Sequence, residues 1–374
     1  MIQRLLLLVF ICANGLFAGS LAQEHEVYLK NTDYELHVFK IHGKEAGPTL
    51  MIIGGIQGDE PGSYISADMY ADARLKKGNL IVVPRANFLS IVENRRQINQ
   101  DMNRRFDKTK KEIEEDKVVA ILKKLIDSSD FLLNLHEGSG FYNPKNIDDM
   151  NNPNRFGQSI IADADSYVSP KCNCDLRLKD MAEKVIEIVN SKIDNPNYKF
   201  RFNNHNTASK ETVHSDQKGS ATYYALYTVG IPAFGIETSK NIEDIELKVN
   251  MHTMIINEFM KQLGIVPEDT SINVMPPILK YMLVKVNGVY KLISKGDTLF
   301  IPRKARLEIK IVETNYPRGV TADLLGYGSF NDIGKNIIVD RNTKIILKKD
   351  SQLITEIPVK IIKNENKGGE NKQL

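Results

Sequence analysis

The sequence predicts an α/β fold, with a mixed, mostly parallel sheet covered by helices, followed by a small all-β domain. Three observations carry this expectation. Short runs rich in Ile, Val and Leu recur at Thr49–Ile53, Leu80–Val83, Phe131–Leu135 and Ala233–Ile236, the pattern of strands buried on both faces. Between them apolar residues fall at helical spacing. Beyond Pro276-Pro277 the helical spacing stops and strand patterns alone continue.

In chain order, Met1-Ile2-Gln3-Arg4 carries a positive charge, Leu5 to Phe17 is almost wholly apolar, and Ser20-Leu21-Ala22 supplies small residues. This layout predicts a signal peptide over residues 1–22, cleaved after Ala22. Asn14 and Gly15 interrupt the apolar run, which falls short of the ~20 residues of a span, so no stable membrane insertion is expected. The exported protein would reside in the periplasm of a Gram-negative host.

Glu26–Lys30 and Glu35–Ile41 read as opening strands. Val118, Ile121, Leu122 and Leu125 mark one helix, and Met181, Val185, Ile188 and Val189 another. A third runs from about Ile242 to Leu263, stopped by Gly264 and Pro267. These elements define a domain over residues 23–265. In the second domain, residues 270–362, Asn287-Gly288 predicts a tight hairpin between Tyr281–Val286 and Val289–Ile293. Arg306–Val312, Asn336–Val339, Lys344–Leu347 and Leu353–Ile361 add strands, consistent with a β-sandwich or barrel-like module. Residues 363–374 read as a disordered tail.

Composition narrows the function classes. At about 150 residues per domain, 374 residues make two or three domains. Fifty Lys and Arg against 47 Asp and Glu leave +3, too even for a nucleic-acid groove. Trp is absent and Cys numbers three, which excludes a disulfide framework. Cys172-Asn173-Cys174 encloses so tight a loop that a strained or absent disulfide without functional weight is expected.

The chemistry sits at predicted strand ends. Met51–Ile53 opens into Gly54-Gly55-Ile56-Gln57-Gly58-Asp59-Glu60-Pro61-Gly62, where Gln57 and Glu60 can point into one space. The strand Phe131–Leu135 delivers His136, with Asn134 two residues earlier on the same face. A carboxylate and an imidazole at strand ends can hold a metal, and catalytic zinc takes three protein ligands. Singly, each is an ordinary turn residue; their combination gives them meaning.

Between them lies Asn94-Arg95-Arg96-Gln97-Ile98-Asn99-Gln100-Asp101-Met102-Asn103-Arg104-Arg105-Phe106. With Val83-Pro84-Arg85-Ala86-Asn87 before it and Gly235-Ile236-Glu237-Thr238 after it, the set resembles the zinc carboxypeptidases and their relatives, the succinylglutamate desuccinylase and aspartoacylase group. The match covers about residues 45–262. Gln57 stands where that superfamily has His. The Gln-x-x-Glu…His set, the leader and the trailing β domain together resemble the D,L-carboxypeptidases that set helical cell shape in curved epsilonproteobacteria.

That resemblance implies a carboxypeptidase-like sheet and a Zn²⁺ site made by Gln57, Glu60 and His136. Glu237 would be the catalytic base, and Arg96 (or Arg95, one register away) the oxyanion residue. Arg104 with Asn103 would hold the substrate's terminal carboxylate. It implies a peptidoglycan stem peptide as partner, with the uncrosslinked muramyl tripeptide trimmed to a dipeptide and meso-diaminopimelate released. Asp59 and Glu137 are not expected as ligands, Arg95, Arg96 and Arg105 could equally lie on the solvated surface, and His205, His214 and Tyr223 or Tyr224 are candidates for the specificity loop. Two other readings compete: a small-molecule amidase of the desuccinylase kind, and a wall-peptide-binding protein whose metal site has decayed. Protein partners of the β domain are not indicated.

Overall fold

The computed structural model describes residues 22–107, 112–268 and 275–362; the expected leader and the tail after residue 362 lie outside the described residues. Labels below cover the elements that matter for the site. The first unit contains β1 (Gln23–Tyr28), β2 (Leu36–His42), β3 (Glu45–Ile53), α1 (Pro61–Tyr70), β4 (Leu75–Val83), α2 (Glu115–Asp127), β5 (Phe131–Gly138), β6 (Ser159–Ala162), α3 (Leu178–Asn190), β7 (Arg201–Asn204), β8 (Ala233–Ser239) and α4 (Ile245–Leu263). Their sheet runs β1-β2-β4-β3-β5-β8-β6-β7. Pairing is parallel for β4/β3, β3/β5, β5/β8 and β6/β7, and antiparallel for β1/β2, β2/β4 and β8/β6.

Alternation along each strand explains the two-faced burial. Leu50, Ile52, Leu133, Leu135, Phe234 and Ile236 face a core shared with α1, α3 and α4. Met51, Ile53, Leu132 and Ala233 face the opposite core, with α2. Each of these buried Leu, Ile, Met and Phe side chains contributes about 1.5–3 kcal/mol. The predicted helix from about Ile242 starts later, at Ile245, because the Asp244 side chain accepts from Leu247 N–H and caps it there. The short strands β6 and β7 carried no run long enough to be foreseen. Among the described residues no helix is long and apolar enough to cross a membrane.

The C-terminal region is all β. β9 (Leu279–Val286), β10 (Val289–Ile293), β11 (Leu299–Pro302), β12 (Ala305–Thr314), β13 (Val320–Leu324), β14 (Asn336–Val339), β15 (Thr343–Lys349) and β16 (Gln352–Ile362) form two four-stranded sheets, β10-β9-β12-β14 and β11-β16-β15-β13. Their inner faces share one apolar core that includes Met282, Val284, Leu307, Ile345 and Ile357. The predicted hairpin is present, with Asn287 and Gly288 both at positive φ (48° and 90°). β11 and β13 are the strands that sequence patterning missed.

A buried ionic cluster joins the two regions. Arg85, just past β4, donates to Asp68 of α1 at 2.8 and 3.0 Å and to Asp350 of the β region at 2.5 and 3.1 Å. Arg318 donates to Asp68 and Asp72, both at 2.8 Å, with its guanidinium over the Phe39 ring. Lys349 pairs with Asp350.

Cys172 and Cys174 are joined by a disulfide, with Cα atoms 5.2 Å apart, so of the two expected alternatives, a strained bond or none, a bond is present. Asn173, between them, takes the positive φ (52°) that so small a loop requires.

Candidate active site

The site forms beyond the carboxyl ends of the central strands, where α/β sheets collect ligands. β3 ends at Ile53, and Gly55 turns the chain with φ 62°. Gly58 then passes so close to the loop beside it that a Cβ would stand 2.1 Å from the Ser90 carbonyl carbon. This contact presents Gln57 and Glu60 on one side of the loop. Pro61 occupies the first turn of α1, whose N-terminal Gly62 N–H donates to the Glu137 carboxylate.

His136 and Glu237 lie opposite each other in the in-register parallel pair β5/β8, so they point to the same side from adjacent strands. His136 Nδ1 is 3.0 Å from Glu60 Oε2, and His136 Nε2 is 3.3 Å from the Asn103 amide nitrogen. Asn103 Oδ1 accepts from Ala221 N–H at 3.1 Å and from Asn134 Nδ2 at 3.4 Å. Asn134 lines the cavity itself and also holds Asn103. Gln57 Nε2 donates to both oxygens of Asp101, at 3.1 and 3.0 Å, which leaves its amide oxygen available to the cavity. Arg96 donates to Asp101 at 2.7 Å and its Nη1 lies 3.9 Å from Glu60.

Gln57, Glu60, Arg96, Asn103, Asn134, His136 and Glu237 line one cavity of about 320 Å³ together with Arg104, Phe156, Ile161, His205, Gln217, Thr222 and Lys240, and Asp101 stands behind Gln57 and Arg96. All seven residues expected at the site, Gln57, Glu60, Arg96, Asn103, Arg104, His136 and Glu237, are therefore brought together. Arg95 does not line it; its carbonyl accepts from Gly58 N–H. Arg105 is not solvated surface but buried, donating to Asp116 at 2.8 and 2.6 Å. Asp59 pairs with Lys240, and Glu137 with Lys248 at 2.7 Å. His205 lines the cavity and stacks on His214 at 3.9 Å between ring centres. Tyr223 and Tyr224 do not line it; Tyr223 packs on Tyr227, and Tyr224 donates to Asp127.

The electrostatics follow from burial and partners. Burial drives the Glu237 carboxyl up to about 7, against the opposing pull of His136. Burial lowers His136, but the Glu60 hydrogen bond and the charges of Glu60 and Glu237 outweigh it and hold the imidazole above its ordinary value. Asp101 is buried too, yet Arg96 and Arg104 keep it below the usual carboxylate range, an acceptor for Gln57. His205 is forced neutral, down to about 3, by burial and by the nearby His214 and Arg104. Its Nε2 is buried and has no hydrogen-bond partner among the described residues.

Asp101, Phe156, Thr222 and Lys240 had no role in the sequence reading. Asp101 had a signal, since it opens the Asp-Met-Asn-Arg segment. Phe156 and Lys240 come from loops and Thr222 from the short helix Ala221–Tyr223, and their closeness is set by the fold.

The solved structures most similar in fold include the tripeptide-bound cell shape determinant Csd4 from Helicobacter pylori, at 20% identity and TM-score 0.57, covering 87% of this chain and 100% of that one. The mDAP-bound form of H. pylori Csd4, described as a D,L-carboxypeptidase, matches at 21% identity and TM-score 0.54, covering 84% and 97%. At such identities these likenesses establish the fold. No curated protein matches the sequence significantly. The family profile described as "carboxypeptidase controlling helical cell shape, catalytic" matches residues 18–283, which contain every cavity residue named above. A match over most of the sheet, helices and site places the chain in that family of cell-shape carboxypeptidases.

Proposed function

We propose that the chain is an exported zinc D,L-carboxypeptidase that trims the uncrosslinked muramyl tripeptide of peptidoglycan to a dipeptide. The observation that carries this reading is the single cavity holding Gln57, Glu60, His136 and Glu237 beside Arg104. The solved relatives include one bound to a tripeptide and one bound to mDAP, which supports the same substrate class here.

The donor set fits zinc. Among the described residues no group of three or more His, Cys, Asp or Glu is arranged for a metal, and this reading takes Gln57 as the third donor beside Glu60 and His136. Asp101 fixes its amide with the oxygen free, as outer partners orient metal ligands elsewhere. Gln57, Glu60 and His136 would hold the ion, and His136 Nδ1 and Glu60 Oε2 already stand 3.0 Å apart. Gln57, Glu60 and His136 together carry one negative charge. Zinc there supplies Lewis acidity toward the scissile carbonyl and an attacking water of lowered pKa.

The chain's own residues do the rest. Arg104 clamps the terminal carboxylate, with Asn103 beside it. The side chain of the leaving residue enters the space walled by Phe156, Ile161 and His205, where the unpartnered imidazole nitrogen suits a polar group. Glu237 takes a proton from the attacking water and passes it to the leaving nitrogen, a task matched to a carboxyl raised to about 7. Arg96 stabilises the negative oxygen that develops on the carbonyl.

The test is direct: purified, zinc-loaded protein incubated with muramyl tripeptide releases free diaminopimelate, and Glu237→Ala does not. No release, or equal release by the variant, overturns the reading.

A further inference from the structure

We infer that Lys240 is a specificity-determining residue on the acyl side of the scissile bond, reading a free carboxylate on the residue that remains with the product. This deepens the carboxypeptidase reading above and rests on it.

The cavity lining runs from buried to exposed residues, and Ile161, His205 and Asn103 belong to its buried part, exposed by 8%, 5% and 6%. Arg104 belongs to this side, where its charge bears on Asp163, His205 and His214. Ser139, Arg96 and Lys240 stand at the rim. An enzyme that removes one terminal residue buries that residue and lets the remaining chain leave through the open side. The residue on the acyl side therefore passes the rim.

Lys240 is built for that place. It follows β8 directly, three residues past Glu237, and its backbone N–H donates to Gly138 O at 2.8 Å. Ser239 and Asn241 tie the same turn to Gly140. The ammonium sits 2.6 Å from Asp59 Oδ2 and 3.7 Å from Glu60 Oε1, and its charge also bears on Glu237. Its side chain is 30% exposed and that of Asp59 31%. A pair so open to water is worth little, about 0–1 kcal/mol, and exchanges readily. Of the three ammonium donors, Asp59 takes one, which leaves others for an incoming anion. Arg96, the other rim cation, holds Asp101 through Nη2 and is the group assigned above to the carbonyl oxygen, so it is not counted for this second anion.

The ligand chemistry follows from position. Lys240 lies by Glu60 and Glu237, so the anion it meets belongs to the residue whose carbonyl is attacked. An α-linked residue carries no free carboxylate on its backbone. A γ-linked glutamyl residue does, because its α-carboxylate is left free by the side-chain linkage. Lys240 would thus select γ-glutamyl over amidated or uncharged acyl groups.

The experiment compares L-Ala-γ-D-Glu-diaminopimelate peptides with the same peptides bearing the α-carboxamide. Cleavage is followed with zinc-loaded wild type, Lys240→Met and Lys240→Arg, and binding is measured by calorimetry in the Glu237→Gln background. Wild type should prefer the carboxylate by roughly 10- to 100-fold, the worth of a charge-assisted hydrogen bond. In Lys240→Met that ratio should fall to near one, in kcat/KM and in Kd alike, and Lys240→Arg should restore part of it. Damage to Asp59 or Glu60 lowers both substrates together and leaves the ratio intact, so a ratio unchanged in Lys240→Met overturns the inference. A wild type indifferent to amidation overturns it too. If wild type cleaves neither peptide while Lys240 still governs the binding ratio, the catalytic reading fails and the inference stands.

Discussion

At the junction with the β region, Arg85, Arg318 and Lys349 meet Asp68, Asp72 and Asp350 in matched pairs. In the cavity, Glu60, Glu237 and Asp101 converge on Arg96 and on an imidazole, with carboxylates crowded against one another. The outcomes differ in sign. Burial would raise Asp68 and Asp350, yet Arg85 overrides it and keeps both below the usual carboxylate range. Burial raises Glu237 to about 7, and its neighbours do not override it. Equal burial thus produces fixed charge where partners are complete and an exchangeable proton where they are not. The first arrangement holds the protein together, and the second is kept for chemistry at the expense of stability.

The contrast is sharpest at Glu237. Glu237→Gln should cut the rate of terminal-residue release by about 10²- to 10⁴-fold while leaving the melting temperature unchanged or higher, since a neutral isostere relieves the crowding. Activity within tenfold of wild type, or a clear loss of stability, would break the comparison. Asp350→Ala should behave in reverse. Leaving Arg85 half-paired should cost about 3–5 kcal/mol in urea unfolding, far more than a surface pair. A cost below about 1 kcal/mol would show the cluster to be solvated. Asp101→Asn tests a residue that serves both ends, since it pairs with Arg96 and fixes Gln57. It should weaken zinc binding by about 10- to 100-fold in chelator competition, with the circular dichroism unchanged.

The smallest effect concerns pH. His205, lowered to about 3 by burial, takes up protons in the unfolded chain before it does so in the folded one. Stability contributed by this group is therefore full above about 6.5 and falls as the pH drops toward 3. Asp163, raised to about 6 by burial, works in the opposite sense, its contribution lost as the pH rises from about 4 to 6. Melting temperatures between pH 4 and 7 should show a shallower acid loss in His205→Phe than in wild type; equal slopes would place the imidazole in solvent.

Much of the site was legible because strand ends announce themselves. Gln57, Glu60, His136 and Glu237 each follow a buried apolar run, and parallel register brings such ends together without further information. The two faces of the sheet and the Asn-Gly hairpin were legible for the same local reason. What stayed hidden depends on contacts without a local signature. Arg85 and Asp350 are 265 residues apart, and Lys240 meets Asp59 across 181. β6 and β7 are four residues each, too short for alternation to register. The choice between Arg95 and Arg96 turned on a loop register that became fixed when the Arg95 carbonyl was taken by Gly58.

Pro276-Pro277 divides the chain by topology, but the Arg85 cluster sets a different limit on modularity. A fragment ending where the family match ends, at residue 283, would keep every cavity residue and lose Arg318, Lys349 and Asp350. Arg85 would then face Asp68 alone, and the loop it anchors is the one whose Ala86 and Asn87 N–H groups hold Gly54 and Gly55. Truncation at that boundary is therefore expected to destabilise the loop that borders the cavity unless the β region, or a replacement for Asp350 that closes the guanidinium, is kept.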